Sequence, residues 1–292
     1  MTQDGIRTVR ISFEALFLGG ADRLLSLMNE SFPELGLVKE DCMEMPWIKS
    51  TLFFAGNGAF TLGEDTKVLL NRSAPPKLYY KAKSDYVQVP IPVEGLEGLW
   101  ERFFQVDDGV LTILMTPYGG KMDEYSESAL PFPHRAGNLY MMFISISWSA
   151  NTTMAEQNKR LDFIRSLYDY LGTYVSKNPR EAYVNYNDLE IGVGTSYEEA
   201  KATWGAQYFK NNFDRLVKVK TAVDPDNFFT HEQSIPIFTK KIREVRWCLL
   251  FSKIKYFGLL FIFFRLLFVM CLLSFCVFAA FFYFVNFCVV LK

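Results

Sequence analysis

The chain has 292 residues, with 31 Lys+Arg against 32 Asp+Glu and a formal net charge of −1. That length supports one large domain or two small ones, and the balanced charge supplies no basic field for a nucleic acid. Hydrophobic residues make up 50% of the chain, which excludes a disordered protein, and two histidines, His134 and His231, leave no His-based metal site.

In chain order, aromatic and β-branched runs bounded by Gly, Pro or Asn predict strands at Arg7–Phe13, Thr51–Ala55, Tyr86–Pro90, Val110–Thr116, Leu139–Trp148 and Tyr183–Ile191. Helices are predicted at Ala21–Ser31, Leu96–Phe104, Thr153–Val175 and Tyr197–Phe209. The third sets Leu161, Ile164, Leu167, Tyr168 and Leu171 on one face. The fourth opens on Ser196-Tyr-Glu-Glu199, a pair of side chains that can each cap the other's backbone N–H. Long helices or irregular segments between strands predict an α+β fold, a sheet with helices mainly on one face. Cys42 is the single cysteine before Cys248, so the body has no internal disulfide.

From Cys248 onward the composition changes to Phe, Leu, Val, Ile and Cys, and Leu266 to Leu291 holds no charged residue. At about 1.5 Å per residue such a helix would cross a hydrocarbon core of roughly 30 Å. The expectation is a hydrophobic C-terminal helix, spanning a membrane over about 266–289. Lys240, Lys241, Arg243, Arg246, Lys253, Lys255 and Arg265 precede it, which would hold the body on the cytosolic side. The same composition arises when U-rich non-coding sequence is translated, and that origin stands beside the anchor reading. Met1–Arg10 is polar, so no signal peptide is expected, yet Asn29-Glu-Ser31, Asn71-Arg-Ser73 and Asn151-Thr-Thr153 are glycosylation triplets.

Gly56-Asn-Gly58 and Gly192-Val-Gly194 are isolated pairs, and no phosphate loop, zinc spacing or nucleophile elbow is present in the sequence. Specificity lies in three longer stretches. The first runs through Leu16-Phe-Leu-Gly-Gly-Ala-Asp-Arg-Leu-Leu25, Phe32-Pro-Glu-Leu-Gly-Leu37 and Ser84-Asp-Tyr86. The second is Pro117-Tyr-Gly-Gly-Lys-Met122 with Pro131-Phe-Pro-His-Arg-Ala-Gly-Asn-Leu-Tyr140. The third joins Asn178-Pro-Arg180, Tyr183-Val-Asn-Tyr186, Trp204-Gly205, Asn212-Phe213-Asp214-Arg215-Leu216, Val223-Asp-Pro-Asp-Asn-Phe-Phe229 and Glu232-Gln-Ser-Ile-Pro236. In order and spacing these closely resemble the plant berberine bridge enzyme-like (reticuline oxidase-like) flavoproteins, over about residues 6–237.

The resemblance implies the C-terminal part of such a protein. It implies a substrate-binding domain over 1–194, a segment over 195–238 that packs on the family's FAD domain, and a tail over 239–292 with no family counterpart. It further implies FAD as cofactor, too weakly held to be retained by this chain alone, with a small-molecule substrate and dioxygen as partners. The family chemistry is oxidation of an alcohol, phenolic, alkaloid-like or carbohydrate substrate, or a carbon–carbon-forming closure, with electrons passing to flavin and then to dioxygen. The other reading is a non-catalytic, membrane-attached remnant without the FAD-binding domain. No oligomer is implied. Location divides between membrane attachment through the tail and the secretory pathway or cell wall of the full-length family.

At residue level, the resemblance makes Tyr186 the candidate base and places Tyr183 and Asn185 at the flavin. Strand alternation would put Tyr183 and Asn185 on one face and Val184 and Tyr186 on the other. A phenol ionises near pH 10, so base duty requires a neighbouring cation or donor. Met141 and Phe143 stand where many relatives carry Glu, Gln or Lys, and neither transfers a proton; they line an apolar substrate pocket or simply fill core. His134 is expected to fix its loop. Asn187-Asp188-Leu189-Glu190 replaces the family's Arg-Asp-Leu-Asp, removing an Arg brace. Asn29, Asn71 and Asn151 are the glycosylation candidates, and no metal ligand set is expected.

Overall fold

The computed structural model describes residues 2–3, 6–7, 9, 11–55, 65–72, 78–106 and 111–238. Two compact units are separable, one holding 78–238 with the described residues before 10, the other holding 11–72.

In the smaller unit, α1 (Ala21–Ser31) buries Ala21 and Leu24, and the Glu44 carboxylate accepts the orphan Ala21 N–H at 2.6 Å. The expected strand at Thr51–Ala55 is instead the end of α2 (Trp47–Ala55). There Ser50 and Thr51 donate their hydroxyls to the carbonyls of Trp47 and Ile48, three residues back, which suits a helix as well as the β-branched side chain suits a strand.

In the larger unit, β1 (Thr2–Gln3) and β2 (Ile6–Arg7) pair antiparallel; of the strand expected over Arg7–Phe13, Arg7 is in β2, residues 9 and 11–13 have no strand structure, and residues 8 and 10 lie outside the described residues. The main sheet has three antiparallel strands, β3 (Leu78–Val87), β4 (Leu111–Pro117) and β5 (Tyr140–Ser149), in the order β3-β5-β4. β3 begins eight residues before the expected Tyr86. The register pairs Tyr86 with Met141, Ser84 with Phe143, and Phe143 with Leu114.

Period-two alternation divides the β5 side chains. Met142, Ile144, Ile146 and Trp148 are buried against α3 (Val93–Phe103) and α4 (Met154–Leu171), chiefly against Leu99, Ile164, Leu167 and Leu171. Met141 and Phe143 point to the other face. The α+β reading with helices on one face therefore holds for this sheet. α4 starts where Thr153 and Glu156 cap each other and stops at Leu171, four residues short of the expectation.

Between α4 and Tyr197 the chain is irregular. The expected strand over Tyr183–Ile191 is a tight turn, in which the Tyr186 N–H donates to the Tyr183 carbonyl at 2.9 Å, followed by a single turn of 3-10 helix at Leu189–Ile191. Asp188 fixes that turn by accepting the Glu190 N–H, a local bond that competes with a sheet ladder. The expected helix Tyr197–Phe209 is real but interrupted. α5 (Tyr197–Ala200) and α6 (Ala206–Phe209) flank a π turn, Lys201–Gly205, with Thr203 at φ −114°, ψ −112°. α7 (Phe213–Val223) completes a second core of Ala200, Trp204, Tyr208, Phe213 and Val217.

The expected membrane location is corrected. No helix among the described residues is long and apolar enough to cross a bilayer. The longest, α4, carries Glu156, Lys159, Arg160, Asp162, Arg165 and Asp169. The hydrophobic tail lies in 239–292, outside the described residues.

Candidate functional site

The open face of the main sheet gathers the expected site residues. Met141 is buried at 4% exposure, while Phe143, Tyr183 and Tyr186 are half-buried. The Tyr186 ring lies 4.3 Å from that of Phe143 and 5.3 Å from that of Tyr183, centroid to centroid. Because the 183–186 segment turns, the alternation expected of a strand does not apply. Asn185 is exposed and donates its amide to the Tyr183 hydroxyl at 2.6 Å, while the Tyr186 ring packs on the sheet at Phe143. The Tyr183 N–H donates to Ser84 Oγ at 2.8 Å, which ties the turn to β3.

Three further aromatic residues that the sequence did not single out extend this face. Tyr86 and Tyr118 meet through their hydroxyls at 3.3 Å. Phe132 lies edge-on to Tyr183 at 5.8 Å and to His134 at 5.2 Å. Tyr118 and Phe132 sit inside the Pro117–Met122 and Pro131–Tyr140 stretches, so the motifs marked the segments without marking the rings.

Burial, and then the neighbouring Tyr183 phenol, push the Tyr186 ionisation above its ordinary value. Burial pushes Tyr118 up to about 12. Neither residue is tuned toward base duty near neutrality. His134 is fully buried and bonded through Nδ1 to Glu181 at 2.6 Å, an anchoring arrangement.

A brace of charges holds the turn from behind. Lys83 donates to Asp188 at 2.8 Å and reaches Glu190 at 2.7 Å. Arg180 makes two 2.6 Å bonds to Asp85 and lies over the Tyr168 ring at 3.3 Å. Burial raises Glu190, but bonds from Lys83 and Arg165 outweigh it and hold its carboxyl down to about 2. Lys81 and Lys83 of β3 both pair with Asp188, while Asn187 donates to Gln233 at 2.5 Å.

Among the described residues no group of His, Cys, Asp or Glu is arranged to hold a metal. The glycosylation candidates Asn29, Asn71 and Asn151 are all exposed, at the end of α1, after residue 70, and in the β5–α4 turn.

An antiparallel sheet with helices on one face and an aromatic, tyrosine-lined surface on the other defines an α+β domain. Residues 182–236, which carry the tyrosine turn and the second core, match the family model "Berberine and berberine like". The chain is 49% identical over 241 residues to tetrahydroberberine oxidase from Berberis wilsoniae, covering 80% of this chain and 44% of that protein. It is 48% identical over 230 residues to monolignol oxidoreductase AtBBE-like 13 from Arabidopsis thaliana, covering 79% and 42%. The fold is similar to the solved structure of berberine bridge enzyme-like 28 from Arabidopsis thaliana, with a TM-score of 0.70 at 46% identity over 76% of this chain and 46% of that one. The chain belongs to the berberine bridge enzyme-like family and spans less than half the length of the curated relatives it matches.

Proposed function

We propose that this chain supplies the substrate-facing part of a flavin-dependent oxidoreductase of the berberine bridge enzyme-like type. In this reading 1–194 bind substrate and 195–238 dock on the flavin-binding part. The observation that carries it is the aromatic face: Tyr186 packed on both Phe143 and Tyr183, Phe132 against Tyr183, and Met141 paired across the sheet with Tyr86, which meets Tyr118. Flat rings and half-buried phenols suit an aromatic or polyhydroxylated small molecule.

The same residues fit only one side of FAD. The Tyr183–Asn185–Tyr186 turn offers stacking and amide groups suited to a tricyclic ring. Among the described residues Gly19-Gly20 lead into α1, but the Glu44 carboxylate already accepts the Ala21 N–H there, where a pyrophosphate would have to sit. This chain therefore offers groups for the ring side of the cofactor alone. Its own contribution is to bind and orient a substrate, with Tyr186 as the candidate proton acceptor and Met141 and Phe143 as apolar walls. Dioxygen as the final electron acceptor belongs to the same proposal.

A second reading, a domain that keeps the fold without catalysis, draws on one observation. Met141 and Phe143 carry no titratable group, and burial pushes Tyr186 away from base duty.

The test is co-expression of the chain with the flavin-binding half of a relative such as tetrahydroberberine oxidase. The expected result is a yellow complex that consumes dioxygen with benzylic, phenolic or carbohydrate alcohols, while the chain alone is colourless. A stable complex that binds flavin yet oxidises none of these classes favours the non-catalytic reading. Flavin retained by the chain alone through acid precipitation overturns the division of labour.

A further inference from the structure

Behind the aromatic face runs a buried chain of charges that starts at an unusual backbone. Lys210 has φ 48° and ψ −130°, a region that side-chain-bearing residues rarely occupy and that persists only where surrounding contacts hold it. From there its ammonium reaches the Glu127 carboxylate, and Glu181 at 3.0 Å. Glu181 is 3% exposed, and its second oxygen bonds His134 Nδ1 at 2.6 Å. The segment bearing His134 is pinned to the same corner. Asn212 donates to the carbonyls of Glu127 and Leu130 at 2.7 and 3.1 Å, and Arg215 to that of Ser128 at 2.7 Å.

The chemistry of this chain fixes the histidine. Burial alone raises Glu181, but His134 and Lys210 outweigh it and hold its carboxyl below the ordinary range. Burial alone lowers Lys210, but Glu127 and Glu181 outweigh it and keep the ammonium charged. An ionised carboxylate only accepts, so Nδ1 must carry the proton, and in the neutral ring Nε2 carries the lone pair. Nε2 is buried and meets no hydrogen-bond partner among the described residues, so no second contact opposes this arrangement. The fixed imidazole stacks on Tyr86, with centroids 4.1 Å apart and planes 17° apart, and the Tyr86 hydroxyl meets Tyr118 on the open face.

We infer that Lys210 and Glu181 are positioning residues: their ion pair sets the tautomer and plane of His134, and through its ring the orientation of the Tyr86–Tyr118 phenol pair. The functional consequence rests on the reading of the aromatic face as the substrate surface. Neither residue touches that face, which distinguishes them from the rings they align.

The test is nitrogen-15 NMR of the full chain labelled at histidine. Its two histidines are assigned by comparison with H231Q. In the native chain His134 should show a protonated Nδ1 and a bare Nε2. E181Q and K210M should lose that Nδ1–H signal or populate the opposite tautomer at least about tenfold more, while K210R retains the native pattern. The Tyr86 and Tyr118 ring resonances should shift in K210M and return in K210R. E127Q removes only the outer partner of Lys210 and should leave His134 unchanged, which guards against general loosening of the corner. An unchanged His134 in folded K210M, or a shift in E127Q as large as in K210M, overturns the inference. If K210M does not fold, E181Q in the folded chain decides in the same way. If both unfold, an altered tautomer in folded K210R overturns it and a native one supports it. None of these readouts needs flavin, so failure of the oxidoreductase reading leaves them intact.

Discussion

The Tyr186 ring packs on Phe143 with centroids 4.3 Å apart and planes inclined by 42°. A phenyl ring offers its neighbour neither charge nor hydrogen bond, so the contact adds burial without stabilising a phenolate. The ionisation of Tyr186 is accordingly pushed up, by burial first and Tyr183 second. Phe143→Lys places an ammonium at this contact, and an adjacent cation favours the phenolate. We expect the Tyr186 pKa to fall by about 1 unit or more. Ultraviolet titration of tyrosinate in F143K, with F143K/Y186F subtracted, measures it; an unchanged titration contradicts the assigned contact.

The sheet's other face should answer to packing alone. Leu167 is fully buried among Met142, Ile144 and Ile164. Leu167→Ala removes three carbons and leaves a space that the β5–α4 interface can only partly close, at about 2–5 kcal/mol. Chemical denaturation should show the midpoint moving down with little change in slope. A loss below about 1 kcal/mol would mean that the interface collapses around the gap.

Acid should weaken the brace behind the tyrosine turn. The Glu190 carboxyl, ordinarily near 4.5, is held down to about 2 by Lys83 and Arg165 against the effect of burial. A carboxylate depressed on folding contributes stability that is present above its unfolded value and lost as pH falls through its folded one. The contribution should therefore fade between about pH 4.5 and pH 2. Glu190→Gln should lower the melting temperature at pH 7 and converge with the native chain near pH 2. A difference that stays constant with pH would assign the effect to shape rather than charge. Glu190 is partly open to water, so the effect is modest.

How far the sequence carried the fold depends on where a local rule met a tertiary contact. β5 was legible because Phe143, Ile144, Ile146 and Trp148 give it strand propensity, and α4 because its apolar residues recur at helical spacing. Tyr183–Ile191 misled because its tyrosines and Ile191 have strand propensity, while the bond from the Tyr186 N–H to the Tyr183 carbonyl and the Asp188 side-chain bond settle a turn. Thr51–Ala55 misled in the same way: Thr and Phe propensity pointed to a strand, and the start of the helix at Trp47 lay outside the window read. The expected site residues did converge on one face. Their supports come from three separate segments, Lys83, Arg180 with Glu181, and Lys210, and no spacing rule joins Lys83 to Asp188. Conversely, the motif read as Trp204-Gly205 has a direct packing reason.

Gly205 ends the π turn, with Phe213 packed against it. A Cβ there would fall 2.6 Å from the Ala200 carbonyl oxygen and 2.7 Å from two carbons of the Phe213 ring. The ring belongs to a fully buried side chain and the oxygen to the backbone, so neither can swing aside as a surface side chain would. Gly205→Ala should therefore destabilise by about 1–3 kcal/mol through overpacking, even though alanine is the better helix former. Phe213→Leu makes room on one side only. The pair G205A/F213L should lose less than the sum of the two single variants, because the clash with the ring is counted once it is already gone. Strict additivity in denaturation would show that the Ala200 carbonyl alone sets the cost.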